Sequence, residues 1–235
     1  MTKRIIILML IVAVSAWAFI IPSVLQCWTS PAYKSLTEKN SVDDLTAYYL
    51  NCTVRVLLSN GWGSGVWVGP NIILTAKHVV TSDMQVSGLE SEVAIKLYDG
   101  RTFTARQIVL DTNDDLALIF VSFTSKYWAP LGPKPLVGQE VTMVGSPLDE
   151  ICEFNMTRGY VTALIKDVPD DYDPNGFGEP SFIVDCFGAP GNSGGPVFRG
   201  KMVVGICIRG LDRSGQSMPL IADVDSLDMC LRGLL

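Results

Sequence analysis

The sequence predicts an all-β domain, a barrel or a pair of barrels closed by one C-terminal helix. Three observations lead there. At least nine short β-rich segments succeed one another from residue 53 onward. Turn signals separate them, notably Gly69-Pro70-Asn71 and the Asp-Gly within Tyr98-Asp99-Gly100-Arg101. Downstream of residue 45, helical spacing is confined to 223–234, where Val224, Leu227 and Leu231 share one stripe. Strands at this density, ending in a single helix, argue for barrels.

The N-terminus comes first. Residues 5–21 (IIILMLIVAVSAWAFII) hold one non-apolar member, Ser15, and follow Lys3 and Arg4. This hydrophobic helix is either an uncleaved membrane anchor or a secretory signal. Its length favours the anchor, while Ala16-Trp17-Ala18 fits a cleavage site. In both readings the two cations stay cytoplasmic and the remainder lies outside. Residues 1–25 are thus an anchor or signal, 26–44 a polar stem, and 45–235 the folded domain.

Within the domain the expected strands are 53–58, 65–68, 72–75, 92–97, 102–110, 116–123, 140–144, 158–165, 182–187 and 202–208. The pair 92–97 and 102–110 flanks the Asp-Gly turn and reads as a hairpin.

Composition removes several functions. Hydrophobic residues are 48% and charged residues 18%, which excludes disorder as the main state. The net charge of -6 has the wrong sign for a non-specific nucleic-acid binder. A single histidine rules out a multi-histidine metal site, so any imidazole chemistry uses His78. Asp171-x-Asp173-x-Asn175-Gly176 resembles the start of a calcium loop, but Phe182 stands where the bidentate Glu belongs, so a solvated acidic loop is expected. No cofactor and no metal are expected.

Three segments carry chemistry: Thr75-Ala76-Lys77-His78, Asp115-Leu116-Ala117-Leu118, and Gly191-Asn192-Ser193-Gly194-Gly195-Pro196. A serine hydroxyl is a poor nucleophile at neutral pH. It needs a base, and the base needs an acceptor that fixes its tautomer. Ser193, His78 and Asp115 can fill these roles, with Asp111 and Asp114 as alternatives to Asp115. The glycines allow an unusual turn whose N–H groups, from Gly191 and Ser193, can meet an oxyanion.

On these motifs the chain resembles trypsin-like (chymotrypsin-fold) serine proteases, in style the bacterial HtrA/Deg branch. The family patterns T-A-x-H, D-[LI]-A-[LVI] and G-[ND]-S-G-G-P are matched at 75–78, 115–118 and 191–196, and Gly63-Ser64-Gly65-Val66 resembles its G-S-G-x strand. The resemblance covers about residues 52–232. It implies two perpendicular six-stranded antiparallel barrels with the triad between them, peptide-bond hydrolysis, and protein or peptide substrates. It places Phe187 at the base of the primary pocket and Ile208, Arg209 and Gly210 along the wall that pairs with substrate backbone. An apolar base would disfavour Lys and Arg before the scissile bond.

Departures from the family sharpen these expectations. Asn192 occupies the position where many members carry the aspartate of the zymogen switch, so activation by a freed N-terminus is not expected. Lys77 replaces a small residue and should point to solvent. Only 42 residues follow Ser193, too few to complete a barrel and add a PDZ domain. Among the six cysteines no C-x-x-C pair occurs, and Cys207, in an apolar strand, reads as a buried free thiol. The expected protein is a membrane-anchored or secreted serine endopeptidase. A catalytically silent binding module on this scaffold and a viral membrane-tethered processing protease are the alternatives.

Overall fold

In the structure, a computed structural model, the described residues are 43–81, 93–165, 182–213, 216–224 and 233. The chain falls into two units, Met1–Asp44 and Leu45–Leu235. The apolar run 5–21, the acidic loop 167–179 and most of the expected helix 223–234 lie outside the described residues. Among those described, no helix is long and apolar enough to cross a membrane.

Twelve strands form two closed six-stranded barrels. The first contains β1 (Thr53–Leu58), β2 (Gly61–Gly69), β3 (Ile72–Thr75), β4 (Ala94–Leu97), β5 (Thr102–Leu110) and β6 (Ala117–Val121). They neighbour one another as β1-β2-β3-β6-β5-β4 and close through the antiparallel β1–β4 pair. The second contains β7 (Glu140–Gly145), β8 (Asn155–Leu164), β9 (Phe182–Val184), β10 (Pro196–Arg199), β11 (Met202–Arg213) and β12 (Gln216–Asp223). Its order is β10-β11-β12-β9-β8-β7, closed by β10 on β7. The double barrel is the fold that the sequence and its resemblance predict. The Asp-Gly hairpin is present as expected, with Gly100 at φ 86 and its N–H donating to Leu97 O at 2.9 Å.

Three elements correct the sequence reading. The end of the expected stem and the first domain residues form a helix, α1 (Asp44–Cys52). Its Leu45, Tyr48, Tyr49 and Cys52 recur at helical spacing. Tyr49 stacks on Phe198 of β10 at 4.6 Å, while Tyr48 Oη donates to Trp128 O and Lys201 O. Strand β10 is new: it opens on Pro196, tolerated at a strand's first residue. Strand β12 is also new and contains Pro219; Asp223, expected to begin the helix, ends this strand.

Apolar side chains fill both barrels, with Trp67, Ile73, Leu74, Leu118 and Ile119 buried in the first and Met143, Phe182, Val197 and Ile221 in the second. An ion cluster joins the barrels. Arg55 of β1 pairs with Glu153, which precedes β8, and Lys96 of β4 lies 2.8 Å from the same carboxylate. Burial opposes ionisation of Glu153, but the hydrogen bonds from Lys96 and Arg55 outweigh it and hold the carboxyl below its ordinary value. The Arg55 guanidinium also sits 5.3 Å from the centre of the Trp62 ring.

Candidate active site

His78 lies in the first turn of a short helix, α2 (Lys77–Thr81), immediately after β3. Asp115 lies two residues before β6. Because β3 and β6 pair directly, with Thr75 opposite Ala117, the two sites are brought together by the sheet. His78 Nδ1 is 2.6 Å from Asp115 Oδ2, and the His78 backbone N–H donates to Asp115 Oδ1 at 2.8 Å. The Asp115 side chain is wholly buried, whereas that of His78 is partly open. Asp111, one of the alternative partners, does different work. Its Oδ1 accepts the N–H groups of Asn113 and Asp114, closing the turn that delivers Asp115. Lys77 does not point freely to solvent: it is half-buried and its ammonium donates to Asp111 O at 3.1 Å. Its position beside that turn gives the charge a carbonyl partner.

Ser193 sits in the turn between β9 and β10, against the end of β3. Gly194, at φ 82, shows how close that approach is. A Cβ there would lie 2.2 Å from Thr75 Oγ1 and 3.1 Å from Ala76 N, two residues before His78. Gly191, at φ 99, is equally constrained, since a Cβ would lie 2.3 Å from Ser146 O. Within 191–195, Asn192 N–H donates to Ala189 O, Gly194 N–H to Cys207 O and Gly195 N–H to Asn192 O. Among the described residues, the N–H groups of Gly191 and Ser193 donate to no backbone carbonyl.

A cleft of about 380 Å³ opens beside Ser193, lined also by Gly188, Ala189, Pro190, Cys207, Arg209 and Gly210. None of these lining residues is acidic. Arg209 and Gly210, two of the residues that the resemblance assigns to the substrate wall, are among the lining residues. The Ile208 side chain is buried in the core at 2% exposure. Phe187 is 49% exposed and outside the cleft lining. It offers the site its carbonyl instead, which accepts Asn192 Nδ2 at 3.0 Å. The sequence reading missed Cys207 as a lining residue. Its thiol is pushed up to about 12, first by burial and then by the nearby Cys186, which makes it a packing group and not a nucleophile. Cys52, Cys152, Cys186 and Cys207 carry free thiols.

The comparisons with known proteins agree with this architecture. The family pattern for the trypsin-like peptidase domain matches residues 63–206. The chain belongs to that family. A probable periplasmic serine endoprotease DegP-like from Hahella chejuensis is 35% identical over 162 residues, 66% of this chain and 31% of its own length. A protein of the same description from Halomonas elongata is 32% identical over 152 residues, 63% of this chain and 30% of its own. The chain therefore spans about a third of the length of these relatives. Among solved structures, the HtrA-type protease AlgW with tripeptide aligns over 83% of this chain and 63% of its own with a TM-score of 0.65 at 19% identity. Deg5 aligns over 83% and 92% with a TM-score of 0.62 at 23% identity.

Proposed function

We propose that the chain is a serine endopeptidase acting outside the cytoplasm, with Ser193 as nucleophile, His78 as general base and acid, and Asp115 as orienter. The observation that carries the reading is the buried Asp115 carboxylate on His78 Nδ1, beside a turn whose Gly191 and Ser193 N–H groups have no backbone partner. A carboxylate can only accept, so Nδ1 carries the proton and Nε2 is left to act as base. Ser193 Oγ attacks the peptide carbonyl while Nε2 takes its proton. The carbonyl oxygen, now negative, is met by the two N–H groups. As the tetrahedral intermediate collapses, the C–N bond breaks and His78 gives the proton to the leaving amine. Water then attacks the acyl-enzyme by the same route and frees Ser193.

Asn192 supports activity without a zymogen cut. Its amide donates to Phe187 O, and its Oδ1 faces Gly145 closely enough that a Cβ there would lie 2.5 Å away. The side chain is satisfied internally and calls for no incoming ammonium. A chain beginning near Ser41 with extra N-terminal residues should therefore be labelled by a fluorophosphonate as readily as one with a clean start, with peptide mapping placing the adduct on Ser193. Labelling that appears only after a specific N-terminal cut would overturn the argument from Asn192. Absence of labelling in both forms would favour the silent binding module.

The location rests on the 5–21 run behind Lys3 and Arg4 and on the periplasmic naming of the two relatives. The segment tethers the protease to the outer face of the membrane. Mass spectrometry of the native N-terminus is expected to find the run retained, and a chain beginning at Phe19 would show it to be a cleaved signal.

A further inference from the structure

We propose that Ser64 is the positioning residue of the oxyanion turn, holding the peptide planes of 191–194 from the opposite barrel so that the Gly191 and Ser193 N–H groups face the cleft. The proposal rests on the reading of those two groups as the oxyanion donors. Ser64 lies in β2 of the first barrel and is fully buried. Its hydroxyl donates to Gly191 O at 2.8 Å and accepts the Ser146 N–H at 2.9 Å. Its own N–H donates to Ser193 O at 2.7 Å, and its carbonyl accepts Thr75 Oγ1 at 2.7 Å. All four of these hydrogen bonds therefore reach segments that form the site.

The consequence follows from peptide geometry. In a trans peptide the C=O and the next N–H point in opposite directions, so fixing a carbonyl fixes the following N–H. Four successive carbonyls of the turn each receive a donor. Pro190 O takes the Leu148 N–H at 3.2 Å and Asn192 O takes the Gly195 N–H at 2.8 Å. Gly191 O and Ser193 O are both held by Ser64. The bonds at Pro190 and Asn192 set the planes that contain the two oxyanion donors. The bonds from Ser64 lock the planes between and after them, so each donor plane is followed by a plane that is held from the other barrel. The hydroxyl supplies the bond to Gly191 O and the backbone N–H supplies the bond to Ser193 O, so Ser64→Ala removes the first and keeps the second.

The test is Ser64→Ala, compared with Thr53→Val, which removes an equally buried hydroxyl from β1, one bonded to Tyr49 O and to no part of the turn. With a peptide substrate, Ser64→Ala should lower kcat by about tenfold to a hundredfold, below the ~10²–10³-fold typical of deleting an oxyanion donor outright, with KM unchanged. Thr53→Val should lower Tm and leave kcat alone. Amide exchange across 187–195 should quicken in Ser64→Ala only. A Ser64→Ala enzyme with unchanged kcat, or with a loss that Thr53→Val matches, overturns the proposal. Should the unsubstituted protein neither cleave nor label, the peptidase reading fails by itself. The exchange measurement then decides the role of Ser64: unchanged protection of 187–195 overturns it and faster exchange upholds it.

Discussion

Ser193→Ala is expected to abolish turnover while leaving the molecule folded. The residue is half-buried, and the substitution removes one oxygen without adding a group to a turn already lined by glycine. The backbone that holds the turn is untouched, since its bonds run through Ser193 O and the neighbouring amides. The Asp115–His78 pair also remains, but it has no hydroxyl to activate. In a triad enzyme, loss of the nucleophile costs about 10⁶-fold in kcat, the residual rate coming from the oxyanion groups and binding. Hydrolysis of a peptide substrate measured beside a thermal melt checks both halves of the expectation. KM should stay near that of the unsubstituted protein, and fluorophosphonate should no longer attach. Cleavage at the original rate would remove Ser193 from the mechanism.

The sequence discloses the elements whose signals are local. Strands β1, β3 and β5 coincide with the expected 53–58, 72–75 and 102–110, because β-rich runs flanked by turn formers such as Ser59-Asn60, Pro70-Asn71 and Asp99-Gly100 leave little choice. Strands β10 and β12 escape for one shared reason. Pro196 and Pro219 argue against a ladder in isolation, yet each is accommodated once its partner strand is known, Pro219 lying opposite Gly210. Helix α1 is short, and its tyrosines suit strands as well as helices; the stack of Tyr49 on Phe198 is a long-range fact that no window of sequence contains.

The same division runs through the site. The meeting of His78 with Asp115 is readable because each sits beside the end of a strand and the two strands pair. The cleft lining is less so. Three consecutive residues of a strand cannot all face one way, so Cys207 and Arg209 reach the cleft while Ile208 turns into the core. Phe187 lies three residues beyond the end of β9, where no periodicity dictates a direction, and it faces outward. Ser64 stands between two glycines in a motif visible from the outset, but its four partners come from segments up to 129 residues away in sequence.

Asp115→Asn tests the other half of the chemistry, and its effect follows from which atoms face His78. One carboxylate oxygen accepts the backbone N–H of His78 and the other meets Nδ1. An amide replaces one of these acceptors by a donor. It cannot turn its NH₂ toward the backbone N–H, because two donors would then face each other in a buried site where neither can find water. The NH₂ must face Nδ1, and Nδ1 must become the acceptor. The imidazole proton moves to Nε2, where the base is needed, and the ring can no longer take a proton from Ser193. A fall of about 10⁴ in kcat is expected, with little change in KM or in overall geometry. Asp111→Asn offers the contrast, since its Oδ1 accepts the N–H groups of Asn113 and Asp114 in the turn before Asp115. The amide introduced there keeps an Oδ1 that accepts both N–H groups, so kcat and Tm should both stay near those of the unsubstituted protein. Rates and melts of the two variants, taken together, separate an orienting carboxylate from a turn-forming one; equal losses of kcat in both would assign the role to the turn as a whole and not to Asp115.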